Sequence, residues 1–124
     1  MIKQILLIDD DPIVNFIHTK VVQHNFPGIS VKLFTNGLQA LEHIRNHPTY
    51  CYLIFLDLNM PIMDGWAFLD AISSEEKETN LQIHIVTSSL DPSDKMRAKS
   101  NVNVVSYMVK PLKSSDLDPL IFTE

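Results

Sequence analysis

The stretch YCYLIFLDLNMPIMDG, residues 50–65, runs an unbroken apolar segment into a carboxylate, Asp57, and then into a polar loop. Continuous apolarity from Tyr50 to Leu56 leaves no face for solvent. That pattern predicts a strand covered on both sides, as in a parallel sheet. The run stops at Asp57. Asn59 follows two residues on, and then Pro61 and Gly65, which divert the chain into a turn. An unpaired charge is costly at the end of a buried strand. Something on the same rim has to match Asp57.

The same grammar repeats outward from this segment. QILLI (4–8) is another continuous apolar run, and it ends at Asp9, Asp10 and Asp11. Asp11-Pro12 reads as the cap and first residue of a helix with Ile13, Phe16, Ile17 and Val21 facing inward. Phe26-Pro27-Gly28 stops that helix. ISVKLF (29–34) alternates through Val31 and Leu33 and predicts a half-buried strand. Asn36-Gly37 opens a second helix, with Leu38, Leu41 and Ile44 inward, which ends before Pro48. Trp66, Leu69 and Ile72 mark a third helix, with Gly65 near its start. EEKETN (75–80) reads as a solvated loop, and IHIVT (83–87) as the fourth strand. Asp91-Pro92 begins a fourth helix that runs to about Ser100 and has a weak apolar stripe. VVSYMV (104–109) is the fifth strand and ends at Lys110-Pro111. Ser114 or Ser115 is expected to cap a short last helix, limited by Pro119. Strand and helix alternate five times. The predicted fold class is therefore α/β, a doubly wound parallel sheet with helices on both faces.

A chain of 124 residues has the length of one domain, expected over residues 1–124. It is long enough to bury roughly two-thirds of its unfolded surface without staples. A net charge of -5 argues against a nucleic-acid partner, which needs a cationic surface. The lone Cys51 cannot form an intrachain disulfide and fits a reducing, cytoplasmic setting. Neither a cleavable signal nor a bilayer-length apolar stretch is evident, so no membrane association is expected.

The polar residues at the strand ends now form a pattern. Asp9 and Asp10 close the first strand, Asp57 the third, Thr87 and Ser88 the fourth, and Lys110 the fifth. In a doubly wound sheet the carboxyl ends share one edge, where ligands bind. Any one of these residues alone is an ordinary solvated strand end; all four ends together point to a site. Three acids held close repel one another. A divalent cation relieves the conflict, and an all-oxygen donor set suits Mg²⁺. Lys110 adds a second positive charge. A phosphoryl group would complete such a site, with its oxygens neutralised by the metal and the ammonium. The Thr87 hydroxyl could donate to a third oxygen, and Asp57 is placed to act as a nucleophile and form an acyl phosphate.

Four segments, LLIDDD (6–11), LDLNMPIMDG (56–65), IVTSS (85–89) and YMVKP (107–111), stand in order and at the right spacing for a known family. The chain resembles the receiver domain of two-component response regulators, the stand-alone kind typified by the chemotaxis regulator. The resemblance covers Lys3 to about Leu120. It implies a flavodoxin-like strand order 2-1-3-4-5 with five flanking helices, which the handedness rules alone do not give. The implied function is phosphorelay signalling. Asp57 corresponds to the phosphoacceptor and Asp10 to a direct Mg²⁺ ligand. Asp9 would help mainly through water, and Asn59 would lend its backbone carbonyl to the metal. Lys110 would pair with the phosphoryl group, across a bond to Pro111 that is often cis in the family. Thr87 and Tyr107 correspond to the switch hydroxyl and the switch aromatic. The implied donor is a phosphohistidine on a sensor histidine kinase or a histidine phosphotransfer protein. Output would go through contact with a downstream protein, from a monomer or a weak phosphorylation-dependent dimer. The domain would catalyse only its own phosphotransfer and dephosphorylation.

The sequence departs from the family pattern at several points. Ser88 stands where alanine or glycine is usual, and Asn59 and Ser89 occupy positions that tune acyl-phosphate hydrolysis. NVNVV (101–105) replaces a small-residue turn. With the short last helix, that alters the face from which such domains usually signal. A phosphatase of the haloacid-dehalogenase type is the rival from another class, but it needs an acid where Asn59 stands. A flavodoxin-like cofactor module would need a phosphate loop in place of Asp9-Asp10-Asp11. A degenerate receiver, acting as a binding module, would lack an acid or the lysine. His43 and His47 share a helix face without an evident third ligand and read as solvated. Cys51, Trp66 and Phe68 read as packing, and Asp94, Lys95, Arg97 and Lys99 as a solvated helix surface.

Overall fold

The computed structural model describes residues 2–75 and 80–117. Its elements alternate as β1 (Gln4–Ile8), α1 (Pro12–Asn25), β2 (Ser30–Phe34), α2 (Gly37–Asn46), β3 (Cys51–Leu56), α3 (Gly65–Ser74), β4 (Asn80–Thr87), α4 (Pro92–Lys99), β5 (Val104–Val109) and α5 (Ser114–Leu117). The five strands form one sheet in the order β2-β1-β3-β4-β5, and every pairing is parallel. The continuous apolar runs belong to strands with both faces covered. In β1 and β3, Leu6, Ile8, Ile54 and Leu56 face one layer with Leu41 and Ile44 of α2 and Phe68 and Leu69 of α3. Ile5, Leu7, Leu53 and Phe55 face the other, with Val22 of α1, Leu112 and Leu117. Each such side chain stabilises the fold by about 1.5–3 kcal/mol.

The starts of α1, α2 and α4 are capped by the expected residues, and α3 by Asp64, which the sequence reading did not name. Asp11 Oδ1 accepts from the Ile13 amide, Asn36 Oδ1 from Gln39, Asp64 Oδ1 from Ala67 and Asp91 Oδ1 from Ser93. The helix phases are less predictable. In α1 the expected inward residues Ile13, Phe16 and Ile17 are 69%, 61% and 46% exposed, and the buried face is Asn15, His18 and Val22. The spacing i, i+3, i+7 is as helical as the apolar one. Hydrogen bonds from Asn15 to the Asp9 carbonyl and from the Leu112 amide to His18 select it. In α2 Leu38 turns outward, and Ala40, Leu41 and Ile44 pack inward. Leu33 is 48% exposed because β2 is an edge strand, covered over Ile29 and Val31 but not beyond.

Boundaries also shift. β3 begins at Cys51, and β4 begins at Asn80 because Asn80 and Leu81 already pair with Cys51 and Tyr52. Of the expected loop 75–80, Glu75 is ion-paired to Arg45 at 2.8 Å, and 76–79 lie outside the described residues. Ser114 does not cap α5. Its hydroxyl accepts from Asn25 Nδ2 at 3.0 Å, and Asp116 Oδ2 instead takes the Lys113 amide. Pro119 lies outside the described residues.

Candidate functional site

Parallel register brings the rim together. Ile8 pairs with Leu56, so Asp9 and Asp57 leave β1 and β3 side by side. The hydrogen-bond ladder continues past the strands. The Asp9 amide donates to Phe34 O at 3.0 Å, the Asp57 amide to Ile8 O at 2.9 Å, and the Lys110 amide to Thr87 O at 2.9 Å. The backbone under each of these groups is therefore fixed by the sheet.

Asp9 and Asp57 are buried and Asp10 is exposed, and one carboxylate oxygen from each lies within 4.8 Å of the others. Asp57 Oδ1 accepts from the Leu58 amide at 2.9 Å, and Asp9 Oδ1 accepts from the Asp11 amide at 2.9 Å. Their other oxygens meet Lys110 Nζ, at 2.6 Å for Asp9 and 3.4 Å for Asp57. The lysine in this state is thus bound chiefly to Asp9. Burial, followed by the charge of Asp9, pushes the Asp57 pKa up to about 6, against the pull of Lys110 and the Leu58 amide. Burial pulls the Lys110 ammonium down, but its bonds to Asp9 and Asp57 outweigh that and raise its pKa. One ammonium facing three carboxylates leaves the rim short of positive charge. A hard, all-oxygen donor set with an acid that resists ionisation fits a divalent cation such as Mg²⁺.

Asn59 is exposed on the loop that leaves Asp57. That loop is pinned at both ends, by the Gly65 amide on Leu58 O at 3.0 Å and the Gly37 amide on Met63 O at 2.9 Å. A Cβ on Gly65 would lie 2.5 Å from the Asp57 carbonyl oxygen and 2.9 Å from Leu58 Cα, so the loop closes only over glycine. Thr87 is fully buried, and its hydroxyl accepts from the Ser89 amide at 3.2 Å. Tyr107 is half-buried, and its hydroxyl donates to the Ser89 carbonyl at 3.3 Å. The Ser89 hydroxyl donates to Asp94 Oδ2 in α4 at 2.6 Å. Ser88 is exposed. The Lys110–Pro111 bond is cis.

Sequence reasoning missed two participants, Asn15 and His18, and underread a third. Ser89, expected only at a position that tunes hydrolysis, binds Thr87, Tyr107 and α4 at once. Asn15 and His18 lie against the floor of the site. With Asp9, Asp57, Phe55 and Val86 they line a cavity of about 10 Å³. The pair is visible in the sequence as polar residues at i, i+3, but the louder apolar stripe beside it hides them.

Elsewhere, His43 and His47 are half-buried and engaged. His43 Nε2 lies 2.6 Å from Gln4 Oε1, and His47 Nδ1 lies 2.9 Å from the His43 carbonyl. Among the described residues they belong to no set of three potential ligands. Phe68 is core, whereas Trp66 is half-buried with the Arg97 guanidinium 4.2 Å from its ring centroid. Among the described residues no helix is long and apolar enough to cross a membrane.

Comparison with known proteins agrees with this geometry. The chain is 29% identical over 122 residues to chemotaxis protein CheY of Halobacterium salinarum, covering 97% of this chain and 95% of that protein. It is 32% identical over 94 residues to the sensor histidine kinase CheAY of Helicobacter pylori, covering 76% of this chain but only 12% of that much longer protein. Among solved structures, a two-component response regulator from Cytophaga hutchinsonii superposes with a TM-score of 0.86 at 29% identity, covering 99% of this chain and 98% of that one. The model of the response regulator receiver domain matches residues 5–122. The chain belongs to the receiver domains of two-component response regulators, signalling modules of the phosphorelay.

Proposed function

We propose that this receiver domain, spanning residues 1–124, accepts a phosphoryl group on Asp57 from a phosphohistidine of a sensor kinase or phosphotransfer protein. The observation that carries the reading is the placement of Asp57: buried, its pKa raised, within 4.8 Å of an oxygen of each of two further acids and 3.4 Å from Lys110. A carboxylate oxygen of Asp57 attacks phosphorus, a P–O bond forms, the P–N bond breaks and the electron pair returns to the donor imidazole. Asp9, Asp10, Asp57 and the Asn59 carbonyl would hold Mg²⁺, which when bound supplies the positive charge that phosphoryl oxygens require. Lys110 shifts from Asp9 toward the new oxygens, a short move from its present position beside both acids. Lys110 therefore repays part of the negative charge gained.

The Thr87 hydroxyl leaves the Ser89 amide to donate to a phosphoryl oxygen. Because Tyr107 holds the carbonyl of the same residue, Ser89, the two movements are coupled. Output then passes to a downstream protein through the altered surface near Tyr107 and α4. We place the domain in the cytoplasm, beside its kinase.

Incubation with acetyl phosphate tests the reading. Intact mass spectrometry is expected to record a Mg²⁺-dependent gain of one phosphoryl group in wild type and none in Asp57→Asn. No gain in wild type, with a wild-type fold, contradicts it. A second expectation concerns Thr87→Ala, which should still take up the phosphoryl group but lose the Tyr107 response. An unchanged phosphorylation-induced shift of the Tyr107 ring resonances in that variant would remove the coupling.

A further inference from the structure

We infer that helix α1 acts as a two-point clamp on the Asp9–Lys110 pair, with Asn15 and His18 as positioning residues of the phosphotransfer site. The two side chains sit one turn apart on the buried face of α1, where apolar residues would have been the cheaper choice. Each grips one arm of the pair. Asn15 Nδ2 donates to the Asp9 carbonyl at 2.8 Å, which fixes the backbone that carries the carboxylate. His18 Nε2 accepts from the Leu112 amide at 3.2 Å, two residues beyond Lys110 and 94 residues away in sequence. Lys110 thus leaves β5 between two anchors, its own amide on Thr87 O and the Leu112 amide on His18.

The two arms meet where Lys110 Nζ lies 2.6 Å from Asp9 Oδ2. His18 accepts at Nε2, so its imidazole is neutral with the proton on Nδ1. Burial, which lowers the His18 pKa, keeps it so. The clamp also accounts for the outward turn of Ile13, Phe16 and Ile17. Only this phase of the helix delivers both polar groups to the rim.

The rate part of this inference rests on the reading of Asp57 as phosphoacceptor; the metal part does not. His18→Leu keeps most of the side-chain volume but removes the acceptor, and His18→Gln restores one. Two readouts separate clamping from simple packing: the rate constant for phosphorylation by acetyl phosphate at saturating Mg²⁺, and Mg²⁺ affinity by calorimetry. Releasing Lys110 from its place should slow His18→Leu about tenfold, because a misplaced group costs rate directly. It should also tighten Mg²⁺ binding about threefold, because the ammonium no longer competes for Asp9.

His18→Gln should return both values to within about twofold of wild type. A variant that is merely destabilised loses reactive fraction and cannot bind the metal more tightly. Rate and affinity both unchanged in a folded His18→Leu, or His18→Gln behaving as His18→Leu, would overturn the clamp. Should His18→Leu not fold, Asn15→Ala tests the other arm: freeing the backbone that carries Asp9 should slow phosphorylation about tenfold and weaken, not tighten, Mg²⁺ binding, and both values unchanged would overturn the clamp. If wild type takes up no phosphoryl group, the phosphoacceptor reading is lost, and the clamp stands or falls on the Mg²⁺ affinities alone.

Discussion

Asp57→Asn is expected to be more stable than wild type at pH 7, by about 1–3 kcal/mol. Asp57 is buried and its pKa stands near 6 in the folded chain, against an ordinary value of 3.8. The folded state therefore holds the Asp57 proton more tightly than the unfolded state does. Protonation stabilises the fold. That contribution is complete below pH 3.8 and is lost as pH rises through about 6. At pH 7 the full cost of the buried charge is present, and at about 1.4 kcal/mol per pKa unit it approaches 3 kcal/mol. The lower end of the range allows for Lys110, which loses one of its two carboxylate partners in the variant. Asparagine keeps an oxygen for the Leu58 amide. Urea unfolding at pH 7 and pH 4 checks the sign. The two proteins should differ at pH 7 and converge at pH 4. A less stable Asp57→Asn at pH 7 would mean that the attraction of Lys110 exceeds the cost of burial.

Gly65→Ala is expected to lose about 2–4 kcal/mol. The added methyl would sit 2.5 Å from the Asp57 carbonyl oxygen and 2.9 Å from Leu58 Cα, and both neighbours are backbone atoms. Relief requires the loop to open, which breaks the Gly65–Leu58 hydrogen bond and moves the peptide that carries Asp57. Gly28→Ala is the control. Gly28 has φ +87° but nothing within 4 Å of a Cβ, so it should lose only about 1 kcal/mol from backbone strain. Denaturant unfolding of the pair separates crowding from conformation. Equal losses at the two sites would refute the close-approach argument. Slower phosphoryl uptake by folded Gly65→Ala would tie that same approach to the placement of Asp57.

The rim of the sheet was readable because its signals are local. A continuous apolar run that ends in Asp9-Asp10 or Asp57, or in Lys110, names both the strand and the polar group at its end. The side-by-side placement of β1 and β3 was not readable from pattern. Alternation of strands and helices fixes the handedness of crossovers but not strand order, and the resemblance supplied the order that the sheet has. Helix α1 was misread for a specific reason. Ile13, Phe16 and Ile17 lie on one helical stripe and Asn15, His18 and Val22 on the next, and periodicity measures a repeat, not a phase. Two hydrogen bonds chose between them, one to Asp9 six residues away and one from Leu112, 94 residues away in sequence. Ser89 was underread in a similar way. Its backbone amide and carbonyl, which any residue would supply, bind Thr87 and Tyr107, so residue type carries no trace of that part of its role.

The central claim is that Asp57 itself carries the phosphoryl group. Borohydride reduction tests it most directly, because it converts an aspartyl phosphate to homoserine and leaves free carboxylates untouched. Wild type treated with acetyl phosphate and Mg²⁺, then reduced and digested, is expected to yield homoserine at position 57 and aspartate at positions 9 and 10. Homoserine at position 9 or 10, or a stable phosphoryl group with aspartate intact at 57, would contradict the account.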